Sequence, residues 1–209
     1  YLGGATISLS QLLNGMDKKK YRIFYLYIKK DDSLVLNKNI KIIKINSSRT
    51  LLSIIQVRKI LSRYNNDKFS KKIYVSNQNY SNIFTSFILK DFQNFKSVLI
   101  ERNHLDEMNY HESIKDFLKK SIIKIIMRIN YSKATLIIGN SKKLSKDLSV
   151  FVNKKVNTIY SPTNSSKIIK LSKSYSPRVI KKDISRTRLL SVSRFTKRKD
   201  LLTLLEAFN

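Results

Sequence analysis

The chain has 209 residues, 42% of them hydrophobic and 27% charged, a balance that builds a packed core and excludes a disordered polyelectrolyte. It has no Cys, which excludes disulfide scaffolds, thiolate metal sites and thiol nucleophiles, and its two His are too few for a His-built metal centre. The net charge of +28, from 42 Lys and Arg against 14 Asp and Glu, points to a polyanionic partner: nucleic acid, an anionic membrane face or a phosphorylated substrate. Genomic bias is the bland alternative, because Lys outnumbers Arg, Asn and Ile are abundant, and the charge is spread along the whole chain.

Short β-rich runs alternate with helical stretches. Gly3-Gly4 opens a helix over residues 5–15, and strands are predicted at 21–28 and 40–45. A helix over 51–64, a strand at 72–75, a helix over 83–92 and a strand at 97–100 follow. The strongest helical periodicity spans 113–131, where Ile114, Phe117, Leu118, Ile122, Ile125, Ile126 and Ile129 recur at three-four spacing. That stripe is expected to face the core, and a membrane-surface face is the alternative. Next come a strand at 135–139, a helix to Leu148 capped by Ser141, and a strand at 156–160 that ends on Ser161-Pro162. Strands separated by helices of this length predict a mostly parallel, Rossmann-like sheet covered on both faces.

Residues 163–187, rich in Ser and Lys around Pro177, read as a helix and a linker. Arg188–Ser193 reads as a fresh strand and Lys197–Phe208 as a fresh helix. The expected organisation is therefore a lobe at 1–162, a linker region at 163–187 and the start of a second lobe at 188–209. Both ends look cut: the first residue is Tyr1, and the last lie inside an apolar helical pattern. No run reaches the ~18 apolar residues needed to span a bilayer.

Three clusters have the chemistry of a site. Paired glycines before a helix, Gly3 and Gly4, expose backbone N–H groups to a phosphate or a sugar hydroxyl. Glu101, Arg102, Asn103 and His104 follow an apolar strand, and in open α/β sheets ligands bind at the strands' carboxyl ends. His104 can act there as acid, base or hydrogen-bond donor. Arg194 follows the strand at 188–193, and Lys199 is expected in the first turn of the next helix, where cations suit a bound anion. Each has a plain counterpart: a turn, a loop histidine, a solvated basic face. No Asp-x-Asp pair is present to hold a metal against a diphosphate, and no phosphate-loop motif occurs.

In order along the chain, these segments resemble the family-four retaining glycosyltransferases, which have the GT-B architecture of two Rossmann-like lobes. Gly3-Gly4-Ala5 with the helix to Asp17 is similar to the family's opening segment. Val98–His104 resembles its central strand and polar loop, and Ala134–Ser141 and Val156–Pro162 resemble later strands and their turns. Leu189–Lys199, continuing to Leu205-Glu206-Ala207-Phe208, is similar without gaps to Val-Gly-Arg-Leu-x-x-x-Lys-Gly…Leu-Ile-Glu-Ala-Phe. Ser193 and Asp200 replace the family's glycines beside the Arg and the Lys, and Ser161 replaces its Asn. The family's strand ahead of Gly3 and its Glu-containing donor lobe have no counterpart within these residues.

The resemblance implies transfer of a sugar from a UDP- or GDP-linked donor to a glycan or lipid-linked acceptor, with retention and without a metal or other cofactor. It implies Arg194, Lys199 and Gly4 on the donor diphosphate, and His104 as a third catalytic group beside Arg194 and Lys199. Gly3, Glu101, Arg102 and Asn103 fall on the acceptor or sugar. It also implies a cytoplasmic enzyme of polysaccharide or cell-envelope synthesis, peripheral at the inner membrane face, with these residues alone inactive. A basic module that binds nucleic acid or anionic membrane without catalysis is the competing expectation.

Overall fold

A computed structural model describes residues 4–28, 34–66, 71–163, 165–174, 189–193, 195 and 199–208. The chain divides into two compact units, residues 1–164 and 165–209.

The first unit is an α/β structure in which every strand pairing is parallel. In chain order its elements are α1 (Gly4–Gly15), β1 (Phe24–Tyr27), β2 (Lys41–Lys44), α2 (Thr50–Asn65), β3 (Lys72–Asn77), α3 (Asn79–Ile88) and β4 (Phe95–Glu101). A 3-10 turn at Leu105–Met108, α4 (Ile114–Ser132), β5 (Leu136–Gly139), α5 (Lys142–Val152) and β6 (Asn157–Thr158) complete it. Strands β1 and β2 form one sheet, and β3-β4-β5-β6 form another in that order. This is the Rossmann-like α/β fold expected from the alternation of runs.

The two sheets share no hydrogen bonds among the described residues but do share a core. One cluster, Ile45, Val57, Leu61, Ile88 and Phe92, gathers α2 and α3 with Leu26 and Ile28 from one sheet and Tyr74 and Phe95 from the other. A second cluster packs Ile83, Met127, Tyr131, Leu148 and Val152 of the helices against Leu99 and Ile137 of the four-stranded sheet. Helices α2, α3, α4 and α5 pack on one another in chain order. Burying each of these large side chains stabilises the fold by about 1.5–3 kcal/mol before entropy is counted.

Local chemistry sets the element ends. Ser113 caps α4 by accepting from Asp116 N at 3.2 Å, and Ser141 caps α5 by accepting from Leu144 N at 3.2 Å. Asn153, in the left-handed region at φ 50°, closes α5. Arg58 of α2 donates to the carbonyls of Phe87 (2.8 Å) and Ile88 (3.2 Å), satisfying the carboxyl end of α3, and pairs with Asp91. Gly139 ends β5 where α5 passes closest: a Cβ there would lie 3.1 Å from Ser145 N and closer still to its hydroxyl.

Four expectations are corrected. Helix α3 begins at Asn79 and not Ile83, because Asn82, buried and polar, donates to Ile100 O (3.0 Å) and is part of the helix. Strand β6 pairs over two residues only, and Ile159 and Tyr160 are exposed. The described residues 189–193 of the second unit form no strand: they find no ladder partner, and Leu190 and Val192 stay exposed. Most of the apolar stripe of α4 does not face the core, although Ile126 packs against the core cluster. Met127, Asn130 and Tyr131 turn inward, while Ile114, Leu118, Ile122, Ile125 and Ile129 lie on the surface.

The second unit contains α6 (Ser165–Ser174) and α7 (Leu201–Phe208). Residues 175–188, most of the expected linker, lie outside the described residues. Among the described residues no helix is long and apolar enough to cross a membrane.

Candidate functional site

The four parallel strands end in register. Asn77 of β3 lies one residue short of Glu101 of β4, which pairs with Gly139 of β5, which pairs with Thr158 of β6. At this edge the chain leaves each strand and turns toward a helix or loop, so polar side chains from distant positions converge there.

Arg102, the first residue after β4, is the hub. Its Nε donates to Asn77 Oδ1 (2.7 Å), and one terminal nitrogen donates to Ser8 Oγ of α1 (3.0 Å) and Ser161 Oγ after β6 (3.0 Å). One guanidinium thereby ties together α1 and the carboxyl ends of β3, β4 and β6. All three acceptors are neutral, and no carboxylate of the described residues pairs with it. Partial burial pushes the guanidinium down from its ordinary value. The amino ends of α1 and α3 open onto the same region, and neither has an acidic residue in its first turn.

Glu101 has a different place from the one expected of an acceptor ligand. It is 1% exposed, and both oxygens are used inside the protein. Oε2 accepts from the Tyr131 hydroxyl at 2.6 Å, with Asn82 and Asn79 amides at 3.4 and 3.5 Å. Oε1 accepts from the backbone N–H groups of Arg102 (2.9 Å) and Asn103 (3.1 Å). A buried carboxylate satisfied on this scale fixes the path of the backbone that follows it. Glu101 is thus what aims Arg102 outward. Burial first, and then the Glu101 charge, push the Tyr131 hydroxyl well above its ordinary value of 10.0.

His104 sits between two aspartates. Its Nε2 lies 2.9 Å from Asp147 Oδ2 of α5, and its Nδ1 lies 2.8 Å from Asp106 Oδ2. A ligand reaching the ring must displace one of them. The imidazole lines a shallow pocket of about 290 Å³ with Asp106, Lys124, Asp147, Met108 and Phe151. Among the described residues no group of three or more His, Asp and Glu is gathered to hold a metal.

Gln78 links β3 to α3 with φ 148° and ψ 150°, a region nearly reserved for glycine. Its carbonyl accepts from Asn82 N at 2.8 Å and from the Ser81 hydroxyl at 2.9 Å. Strain of about 1–3 kcal/mol is thus held beside Asn77 by the start of α3.

Of the other expected residues, Gly4 begins α1 and is exposed, and a Cβ there would meet nothing within 4 Å. Packing does not require a glycine at that point, and its backbone is open to approach. Asn103 is exposed, with its backbone N–H bonded to Glu101. Gly3 and Arg194 lie outside the described residues. Lys199 is exposed in the second unit and lies in a 3-10 turn ahead of α7, not in the first turn of α7 itself. It precedes Asp200, whose backbone is left-handed at φ 43° and whose carbonyl accepts from Leu204 N (3.3 Å), and α7 starts only at Leu201. The expectation for Lys199 is corrected accordingly.

Ser8, Asn77, Gln78 and Asp147 were not singled out from the sequence, and Ser161 only as the residue after a strand and a departure from the family's Asn. The polar run Asn77-Gln78-Asn79 at the end of an apolar strand is the one signal that marks part of this set. Ser8 and Ser161 are 94 and 59 residues from Arg102, and only folding brings them to it.

No protein-family model matches the chain, and no curated protein matches it.

Proposed function

We propose that the chain is the acceptor-side lobe, with the beginning of a donor-side lobe, of a retaining glycosyltransferase that uses a nucleotide-diphosphate sugar and a glycan or lipid-linked acceptor. The observation that carries this reading is Arg102: a guanidinium without a carboxylate partner among the described residues, at the carboxyl ends of parallel strands. That is the place and the charge for a phosphate-bearing ligand in an open α/β sheet. The ordered resemblance of residues 3–208 to the family-four enzymes supplies the reaction class.

In that reaction the bond from the anomeric carbon to the diphosphate oxygen breaks, and a bond to the acceptor oxygen forms on the same face. The acceptor hydroxyl proton passes to the departing diphosphate. Negative charge builds on that group, and Arg194 and Lys199 would stabilise it electrostatically without a metal. Arg102, held by Asn77, Ser8 and Ser161, would position a phosphate of the acceptor or donor, and Gly4 would let it approach the backbone. His104 would contact the sugar or acceptor once freed from one aspartate.

The test is transfer of labelled sugar from UDP- and GDP-sugars to a lipid extract, using the protein expressed from its full reading frame. Arg102→Ala and Arg194→Ala are each expected to cost about a hundredfold in turnover, the usual loss for one preorganised donor. Unchanged turnover in Arg102→Ala, with transfer intact, removes the strand-end site from the mechanism. Absence of transfer with every donor removes the reaction class.

A further inference from the structure

Helix α4 is an amphipathic helix that presents its apolar face to the outside. Ile114, Leu118, Ile122, Ile125 and Ile129 recur at intervals of four, four, three and four, which at about 100° per residue keeps them within one narrow stripe. The stripe runs about 22 Å along the helix. Ile114 is 80% exposed, Ile125 is 61% exposed, and all five are more than half exposed. The core takes the opposite face, where Met127 and Tyr131 are fully buried. An apolar stripe of this length, left uncovered beside a helix face that packs normally, needs an occupant.

Charge identifies the occupant. Lys115 and Lys119 border the stripe on one side and Arg128 on the other, all exposed. No carboxylate of the described residues engages any of the three. Two further cations are tied down: Lys120 to Asp116 (2.6 Å) and to Tyr110 O (2.5 Å), and Lys124 to Asn109 Oδ1 (2.8 Å). Asp116 is the helix's one carboxylate, and it lies on the inward side of the wheel. A second copy of this helix would bring two like-charged borders together. Nucleic acid would gain nothing from five exposed aliphatic side chains, since stacking needs aromatic ones. A bilayer surface with anionic headgroups satisfies both features: the stripe enters the acyl boundary, while the flanking Lys and Arg extend to the phosphates.

We propose that α4 docks the protein in the plane of an anionic membrane, with the Ile114–Ile129 stripe as the buried face and Lys115, Lys119 and Arg128 as the headgroup contacts. This rests on the exposed stripe and its flanking cations and does not depend on the transferase reading. The helix lies on the membrane and does not cross it, since its charged residues interrupt any apolar span.

The experiment is co-sedimentation of the whole chain with phosphatidylcholine vesicles, with and without phosphatidylglycerol. Binding is expected only to the anionic vesicles, falling as salt is raised. Replacing Lys115, Lys119 and Arg128 together by Gln should weaken binding about a hundredfold, each cation near an anionic surface contributing about fivefold. Ile122→Asn with Ile125→Asn should abolish it while the far-UV circular dichroism and melting temperature stay unchanged, because neither side chain is in the core. Equal binding to neutral vesicles overturns the proposal. So does anionic binding that the isoleucine pair does not alter, which would place the contact elsewhere on this basic chain. A dimer in solution that the isoleucine pair dissolves, with no vesicle binding, would assign the stripe to a second copy instead.

Discussion

Two surfaces of the first unit are built on opposite rules. At the carboxyl ends of β3–β6, nearly every polar group is engaged: Glu101 by Tyr131, Asn79, Asn82 and two backbone N–H groups, Arg102 by Asn77, Ser8 and Ser161, and His104 by two aspartates. On the outward face of α4, aliphatic groups have nothing over them. Tyr131 connects the two, since it belongs to α4 and points into the polar network. The contrast shows that one helix can be rigidly specified on its inner face and unsatisfied on its outer one. The inner face holds the strand-end network in place. The outer face leaves its aliphatic side chains exposed.

The comparison breaks most visibly at Glu101. Glu101→Ala leaves the Tyr131 hydroxyl buried without its acceptor and removes the acceptor of the Arg102 and Asn103 N–H groups. It should cost about 3–5 kcal/mol in urea unfolding, on the scale of losing one partner in a buried charged network. A loss near zero would mean that water replaces the carboxylate and that the network does not hold the loop.

Truncating the two faces of α4 sharpens the contrast. Met127→Ala removes a fully buried side chain and should cost about 2–5 kcal/mol. Ile125→Ala on the outer stripe should change stability by less than about 0.5 kcal/mol. Similar losses at the two positions would show that the stripe is packed and not exposed.

Tyr131→Phe removes one bond to a carboxylate and should cost about 1.5–3 kcal/mol at neutral pH. The pH dependence has a definite sign. The fold raises the Tyr131 pKa, so it favours the neutral phenol; its contribution is fully present below pH 10 and is lost as pH rises beyond it. Alkaline unfolding of the wild type should therefore begin above that value, and the Phe variant should lack this component. Titration by tyrosinate absorbance, with stability measured in parallel, reads both.

One effect is of opposite direction. Gln78→Gly should stabilise the chain by about 1 kcal/mol, because glycine adopts φ 148° without strain. Destabilisation would mean that the Gln78 side chain contributes more than its backbone costs.

Much of the architecture was legible because it depends on local pattern. The β-branched run at 97–100 and the alternation of strands with helices specify a parallel α/β sheet whatever surrounds them. Ser141 was readable as a cap because a hydroxyl three residues ahead of an orphan N–H acts locally, and Ser113 caps α4 by the same rule. The strand expected at 188–193 had the right residue types, yet pairing requires a neighbour that no local pattern specifies. Of the strand-end cluster, position after β4 marked residues 101–104, but not which of them turns inward.

The sequence by itself determined the class of fold, the order of its elements and the excess of positive charge, since periodicity, capping and composition are properties of neighbours in the chain. Only the tertiary structure decided that Glu101 is a buried brace and Arg102 the half-buried hub, because side-chain partners 19 to 94 residues away converge on them. It also decided which side of α4 meets the core. A stripe at three-four spacing shows that a helix has an apolar face, and only the packing of α3 and the sheet against Met127 and Tyr131 shows that this face is left outside.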